Sequence, residues 1–270
     1  MMNLREAASA IDAQVFGADA AFTSVSTDTR SIAPGALFVA LKGERFDGHA
    51  FLSQAIAAGA VAAMVQREAL PQESAAPLLI VEDTRLALGA LAAYWRKRSN
   101  AGVVAVTGSN GKTTVKEMIA AILRVYCVAH GGTEDQVLAT VGNLNNDIGV
   151  PLTLFKLTPS HRYAVIEMGM NHAGEIGPLS RLVRPDIAII TTVAPVHLQY
   201  FKSVDEIADA KAEIFEGLQT GGIAILNRDN AQFNRLADRA LDARVGRPGQ
   251  EGPVAAAVEG GAWVGAHAAV

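Results

Sequence analysis

Between residues 103 and 241, short unbroken apolar runs alternate with longer stretches in which apolar residues recur at every third or fourth position. The runs predict strands at 103–106, 163–168, 187–193 and 222–226, and the periodic stretches predict helices at 113–126, 176–183, 203–218 and 231–241. Such alternation implies a doubly wound, mostly parallel sheet. The runs "VVAV", "YAVIEM" and "IAIITTV" are nearly all apolar, as strands covered by helices on both faces must be. In these sheets ligands bind beyond the carboxyl ends of the strands, so chemistry is sought just after each run.

Before residue 99 the elements are shorter. Strand-like pieces at 37–41, 62–65 and 78–81 are separated by a helix-like run and by the turns "APGA" and "LPQE", which predicts a small α/β domain. Residues 84–99 carry Leu86, Ala90, Leu91 and Tyr94 at helical spacing and end in "RKRSN", a helix leading to a domain boundary near 99. From Arg244 the chain is rich in Gly, Ala, Val and Pro without a period, and no element is assigned there. It reads as a weakly ordered tail or as an element whose partners are missing.

Composition narrows the function classes. Half of the 270 residues are hydrophobic and 19% are charged, enough to bury a core and too apolar for disorder. Lys and Arg number 23 against 27 acids, a net charge of −4, which lacks the basic footprint of a nucleic-acid partner. The single cysteine, Cys127, makes no internal disulfide, and Arg5 and Glu6 stand where a signal peptide needs its apolar run, so the cytoplasm is the expected compartment. The longest apolar stretch, 50–65, is broken by Ser53, Gln54 and Gly59 and reads as a helix and a strand rather than a membrane span.

The sharpest motif is "VVAVTGSNGKTT", a strand, a glycine loop, a lysine and two threonines opening a helix. Backbone N–H groups of such a loop cradle phosphate, the lysine meets the terminal phosphates and the first threonine reaches Mg²⁺. The spacing is a shortened variant, Gly108-x-x-Gly111-Lys112-Thr113, with Val106 in the place of the usual first glycine. The plain alternative is a glycine turn with a surface lysine. Glu167 interrupts a buried strand near its end, where a carboxylate needs a metal, a cation or an exit to solvent. His197, after "IAIITTV" and a short turn, is expected on the same rim. Lys211 falls on the apolar stripe Val204, Ile207, Ala208, Lys211, Ile214, Phe215 and Leu218; either its ammonium snorkels outward or it is a desolvated, nucleophilic amine. "GNLNND" brings Asn143, Asn145 and Asn146 into one loop, and residues 26–51 are dense in polar groups, among them Thr27, Asp28, Arg30, Lys42, Asp47 and His49. Asn227 follows a strand and either meets a base or caps the next helix.

Over about residues 20–245 the chain resembles the Mur ligases of peptidoglycan synthesis, through "GSNGKTTVKEM", "GNLNNDIGVPLTL", "IEMGMNHAGEI" and "AKAEIF" in that order, and it looks like their D-alanyl-D-alanine-adding branch. The resemblance implies a small N-terminal α/β domain, residues 1–98, that holds the UDP of UDP-N-acetylmuramoyl-tripeptide, followed from residue 99 by a P-loop ATPase domain with a doubly wound, mostly parallel sheet. Thr27, Asp28, Arg30, Lys42, His49, Asn143, Asn145 and Asn146 would contact this substrate, and Thr107, Gly108, Ser109, Asn110, Gly111, Lys112, Thr113 and Thr114 would bind ATP, with Asn227 on adenine. Thr113 and Glu167 would hold one Mg²⁺; Glu167, His197 and a carbamate on Lys211 would hold a second, and Lys112, Glu167, His197 and Lys211 would be catalytic. The implied reaction activates the tripeptide carboxylate as an acyl phosphate, which the amine of D-alanyl-D-alanine then attacks, in a monomer without nucleic-acid or membrane partners. Two departures stand out: Gln199 replaces the family's acid two residues after the histidine, and the family's third domain would need on the order of another 100–200 residues. A chain without that domain is expected to ligate weakly or not at all. Two other readings stay open: a nucleotide-binding module without turnover, and a sister ligase for another amino acid.

Overall fold

The structure, a computed structural model, describes residues 1–196, 198–245, 254–259 and 262–267. The chain divides into two compact units, one of residues 1–98 with 154–156, the other of 99–153 with 157–270.

The first unit opens with β1 (Met2–Asn3) and α1 (Leu4–Ile11), whose N-terminus is capped by the Asn3 side chain accepting from Glu6 N–H at 2.8 Å. β2 (Gln14–Phe16), β3 (Ala21–Phe22) and β4 (Ser24–Ser26) follow, then β5 (Ala36–Val39), α2 (Leu52–Ala57), β6 (Ala60–Gln66), β7 (Leu78–Val81) and α3 (Thr84–Lys97). β1 pairs with β3, and the remaining strands form a sheet in the order β2-β7-β6-β5-β4, parallel except for β2. Its core gathers Phe38, Ala63, Val65, Leu78 and Ile80. α3 starts where Asp83 accepts from the N–H groups of Arg85 and Leu86 and where the Thr84 hydroxyl donates to Ala40 O at 2.9 Å. That anchor sets the phase of the helix: Ala87, Leu88, Leu91 and Ala92 are buried, whereas Leu86 is exposed.

The second unit runs β8 (Gly102–Thr107), α4 (Lys112–Ala129), β9 (Val137–Ala139), α5 (Gly149–Leu154), β10 (Tyr163–Glu167), α6 (Ile176–Val183), β11 (Ile187–Ile190), α7 (Val204–Ala212), β12 (Ile223–Asn227), α8 (Phe233–Val245), β13 (Val254–Glu259) and β14 (Ala262–His267). The sheet order is β14-β13-β12-β11-β8-β10-β9, with only β14 antiparallel. Val103 to Val106 are all buried, so both faces of β8 are covered. Val104, Val106, Val137 and Val165 pack with Ala120 and Cys127 of α4. The register sets Glu167 beside Val106 and Ile190 beside Thr107, which brings three strand ends together at the start of the glycine loop.

Three expectations are corrected. β11 ends at Ile190 rather than 193, because the next residues leave the ladder to bond the glycine loop. The helix expected over 203–218 is α-helical only to Ala212 and tightens into a 3-10 segment, Glu213–Gly217. Tertiary contacts force this: Glu213 accepts from the N–H groups of Gly174, Ile176 and Gly177 at the start of α6, and Gly217 lies against the backbone of Ser180. The stretch after 245, given no element from its composition, contains β13 and β14, since strand pairing with β12 supplies the order that periodicity does not reveal.

A Cβ on Gly217 would sit 1.9 Å from Ser180 O, a backbone atom that cannot swing away. Gly217→Ala is therefore expected to destabilise the fold by about 2–3 kcal/mol, read as a lower urea midpoint at unchanged slope.

Candidate functional site

The glycine loop is held before any ligand arrives. Gly108 has φ +150°, and a Cβ there would lie 1.9 Å from Thr191 Oγ1, so only glycine fits. The Thr191 hydroxyl donates to Asn110 O at 2.6 Å. Ser109 N–H donates to Thr192 O at 2.8 Å, and Ser109 Oγ accepts from Ala194 N–H at 2.9 Å. Lys112 folds back over the loop and donates to Gly108 O at 2.9 Å. α4 has no side-chain cap at its N-terminus, so the end of the helix that carries Lys112, Thr113 and Thr114 offers its backbone to an anion. The Thr107 hydroxyl beneath the loop is buried and has no partner among the described residues.

Glu167 is only 2% exposed, which removes the reading in which it has reached solvent. One carboxylate oxygen accepts from the Thr113 hydroxyl at 2.9 Å and the other from Asn145 Nδ2 at 2.9 Å. Its N–H donates to Thr140 Oγ1 at 3.0 Å. A carboxylate and a hydroxyl in contact at the mouth of a phosphate loop form an oxygen donor set suited to Mg²⁺, which keeps waters for its other positions. The residues present therefore fit the ion. Among the described residues, no group of three or more His, Cys, Asp or Glu gathers as a metal site.

Lys211 on α7 is only 2% exposed, so the snorkelling alternative does not hold. Burial, and secondly the charge of Lys112, bring its ammonium down to about 7. A large neutral fraction at physiological pH suits an amine that takes up CO₂. His197, expected beside it, lies outside the described residues.

At the end of β12, Asn227 Nδ2 reaches Thr191 O at 3.5 Å and its Oδ1 accepts from Asp229 N–H at 3.0 Å. It lines a cavity of about 300 Å³ with Val115, Ile189, Thr191, Ile225 and Asp229. A larger cavity of about 570 Å³, bordered by Tyr200, Phe215, Asp209, Glu213 and Arg239, touches neither the loop nor Glu167. Among its acids, Asp209 is held by Arg235 and Arg239, and Glu213 by the start of α6.

The asparagine loop divides. Asn145 spends its amide N–H on Glu167, Asn146 Oδ1 accepts from Gly149 N–H at 2.8 Å at the start of α5, and Asn143 is exposed. In the first unit, Arg30 is bidentate on Asp28, at 2.9 and 2.6 Å, which pulls the Asp28 carboxyl down to about 2. Thr27 is half-buried and Lys42 exposed. His49 is held on both ring nitrogens: Nδ1 bonds Asp47 at 2.6 Å and Nε2 accepts from Gln66 N–H at 2.9 Å. Sequence reasoning passed over Thr140 and Thr191; two threonines closing the apolar run "IAIITTV" were the visible sign of the second.

Two family profiles match, the Mur ligase middle domain over residues 106–253 and the Mur ligase family catalytic domain over 21–96. The chain is 54% identical over 220 residues to the UDP-N-acetylmuramoyl-tripeptide–D-alanyl-D-alanine ligase of Escherichia coli K12, covering 82% of this chain and 46% of that protein. The Bacillus subtilis enzyme of the same name is 44% identical over 201 residues, covering 74% and 42%. Among solved structures, MurF from Acinetobacter baumannii superposes with a TM-score of 0.80 at 35% identity, over 94% of this chain and 53% of that one. MurF from Thermotoga maritima in complex with ADP does so at 0.70 and 28%, over 89% and 51%. The chain spans about half the length of the curated relatives it matches.

The state of Lys211 gives a pH prediction. Its native amine is neutral above about 7, whereas the unfolded chain still binds that proton up to 10.5, so stability contributed by this group rises with pH between those values. In metal-free, CO₂-free buffer, Lys211→Met should exceed the parent by about 5 kcal/mol below pH 7, with the gap closing toward pH 10.5. Denaturant melts across that range measure it, and a gap independent of pH would show that the amine is not desolvated.

Proposed function

The chain belongs to the Mur ligase family, and on that premise we propose that it carries the nucleotide and metal half of an ATP-dependent amide ligase joining D-alanyl-D-alanine to UDP-N-acetylmuramoyl-tripeptide. The observation that carries the reading is the buried carboxylate of Glu167, shared by Thr113 and Asn145 at the mouth of the glycine loop. In this reaction the tripeptide's terminal carboxylate attacks the γ-phosphorus of ATP, releasing ADP and forming an acyl phosphate. The amine of D-alanyl-D-alanine then attacks the acyl carbon, loses a proton and expels inorganic phosphate.

The chain's own groups supply positioning and charge. Thr107 to Thr114 wrap the phosphates, and Lys112 leaves Gly108 O to meet the transferring group. Asn227, on the wall of the smaller cavity, would face the adenine. Thr113 and Glu167 would hold one Mg²⁺, and Glu167, His197 and a carbamate on Lys211 a second. Bound there, the ions neutralise charge on the phosphoryl oxygens. The carbamate forms when the neutral Lys211 amine bonds the carbon of CO₂ and gives up a proton, turning a buried amine into an anionic ligand. Thr27, Asp28, Arg30 and Lys42 would meet the UDP-linked substrate in the first unit.

Calorimetry should find ATP binding with Mg²⁺ weakened at least about tenfold by Lys112→Ala, while UDP-N-acetylmuramoyl-tripeptide binds both chains alike. Equal ATP affinity in the two chains would overturn the phosphate-site reading. Phosphate release that requires Lys112 and both substrates is the signature of ligation by this chain, and tripeptide binding without it would leave the two-substrate step to a longer protein. For the carbamate, ¹³CO₂ should give a carbamate carbon resonance that disappears in Lys211→Met; a spectrum identical in both chains would remove it.

A further inference from the structure

We propose that Lys116 is a positioning residue for the carboxylate of Glu167, acting through Thr140; the inference rests on the metal and phosphate reading above. Lys116 is 0% exposed, and a buried ammonium persists only where its N–H groups are held. Its Nζ donates to Thr140 O at 2.7 Å and pairs with Glu117 Oε1 at 2.8 Å. Glu117 is more than half exposed, so the ion pair ties the lysine to the surface while its other bond points inward.

Thr140, itself buried, immediately follows β9 and is bonded from three sides. Its N–H donates to Val165 O at 3.0 Å, its carbonyl takes Lys116, and its hydroxyl accepts the N–H of Glu167. Lys116 and Thr113 are three residues apart on α4, hence on one face of the helix. One holds the carboxylate of Glu167 directly, and the other holds the main chain that supports it. Beyond Thr140 the chain runs to Asn145, which bonds the remaining carboxylate oxygen and whose carbonyl accepts from Gly169 N–H at 2.8 Å. Lys116 therefore fixes the point from which two of the supports of Glu167 depart. Packing does not require a charge here, since apolar residues of similar volume commonly replace buried ionic groups without loss of stability. Directing the Thr140 carbonyl does require a donor at the end of a long stem.

The test uses the full chain, with Mn²⁺ as probe and ADP as nucleotide, free Mn²⁺ being read by electron paramagnetic resonance and stability by urea unfolding. Lys116→Met is expected to unfold at the parent's urea concentration or above it. Its ADP complex should bind Mn²⁺ about tenfold more weakly, with metal-free ADP affinity unchanged. Thr140→Val, which removes the hydroxyl that supports Glu167, should lose Mn²⁺ affinity likewise, and Thr140→Ser should retain it; this pair decides the matter if Lys116→Met does not fold. Variants that bind Mn²⁺ as tightly as the parent, even if less stable, would overturn the positioning role and leave the parent reading intact. A parent chain that binds neither ADP nor Mn²⁺ with ADP would overturn the phosphate-site reading and this inference with it.

Discussion

A carboxylate buried at the end of an inner strand has to be bonded from several directions at once, and this demand organises the second unit. Glu167 cannot reach water, so its two oxygens and its N–H take partners from α4, from the asparagine loop and from the end of β9. These segments are far apart in sequence. They meet because the parallel register sets Glu167 beside Val106, one residue before β8 ends and the glycine loop begins. The carboxylate thereby ties the strand that carries it to the helix that faces the phosphates.

The glycine loop shows the same economy. The carbonyl of Asn110 and the N–H and hydroxyl of Ser109 are engaged by Thr191, Thr192 and Ala194, which lie beyond the end of β11. A loop already held in shape loses little freedom when it takes an anion, so more of the contact energy appears as affinity. The cations beside it are placed differently. Lys112 rests on a carbonyl of the loop, whereas Lys211 is sealed in the apolar face of α7, where burial and the neighbouring charge favour its neutral form. Two amines of one chemical type thus stand ready for different chemistry.

Much of this was legible in the chain. The α/β alternation, the loop from Gly108 to Lys112, the odd placement of Glu167 and the position of Lys211 on an apolar stripe all follow from spacing, because each is a local pattern. The first four strands were not legible: at two or three residues each they are too short to show a period. Nor were the partners. That Asn145 bonds Glu167, and that the ring nitrogens of His49 are engaged by Asp47 and Gln66, had no sign in the chain. A side chain's chemistry is visible in its identity, but whether its polar atoms are already spent depends on neighbours that the sequence does not order.

By itself the sequence determined the layered architecture, the phosphate loop and the residue types that make the site chemically plausible, since periodicity and loop chemistry act over a few residues. Only the tertiary structure decided that Thr113, Asn145 and Thr140 converge on one carboxylate, that β11 ends early to hold the loop, and that α7 tightens after Ala212 against α6. The reason is physical. Such choices are settled by the cost of leaving a buried polar atom unpaired, and that cost is fixed by residues which meet only when the sheet has assembled.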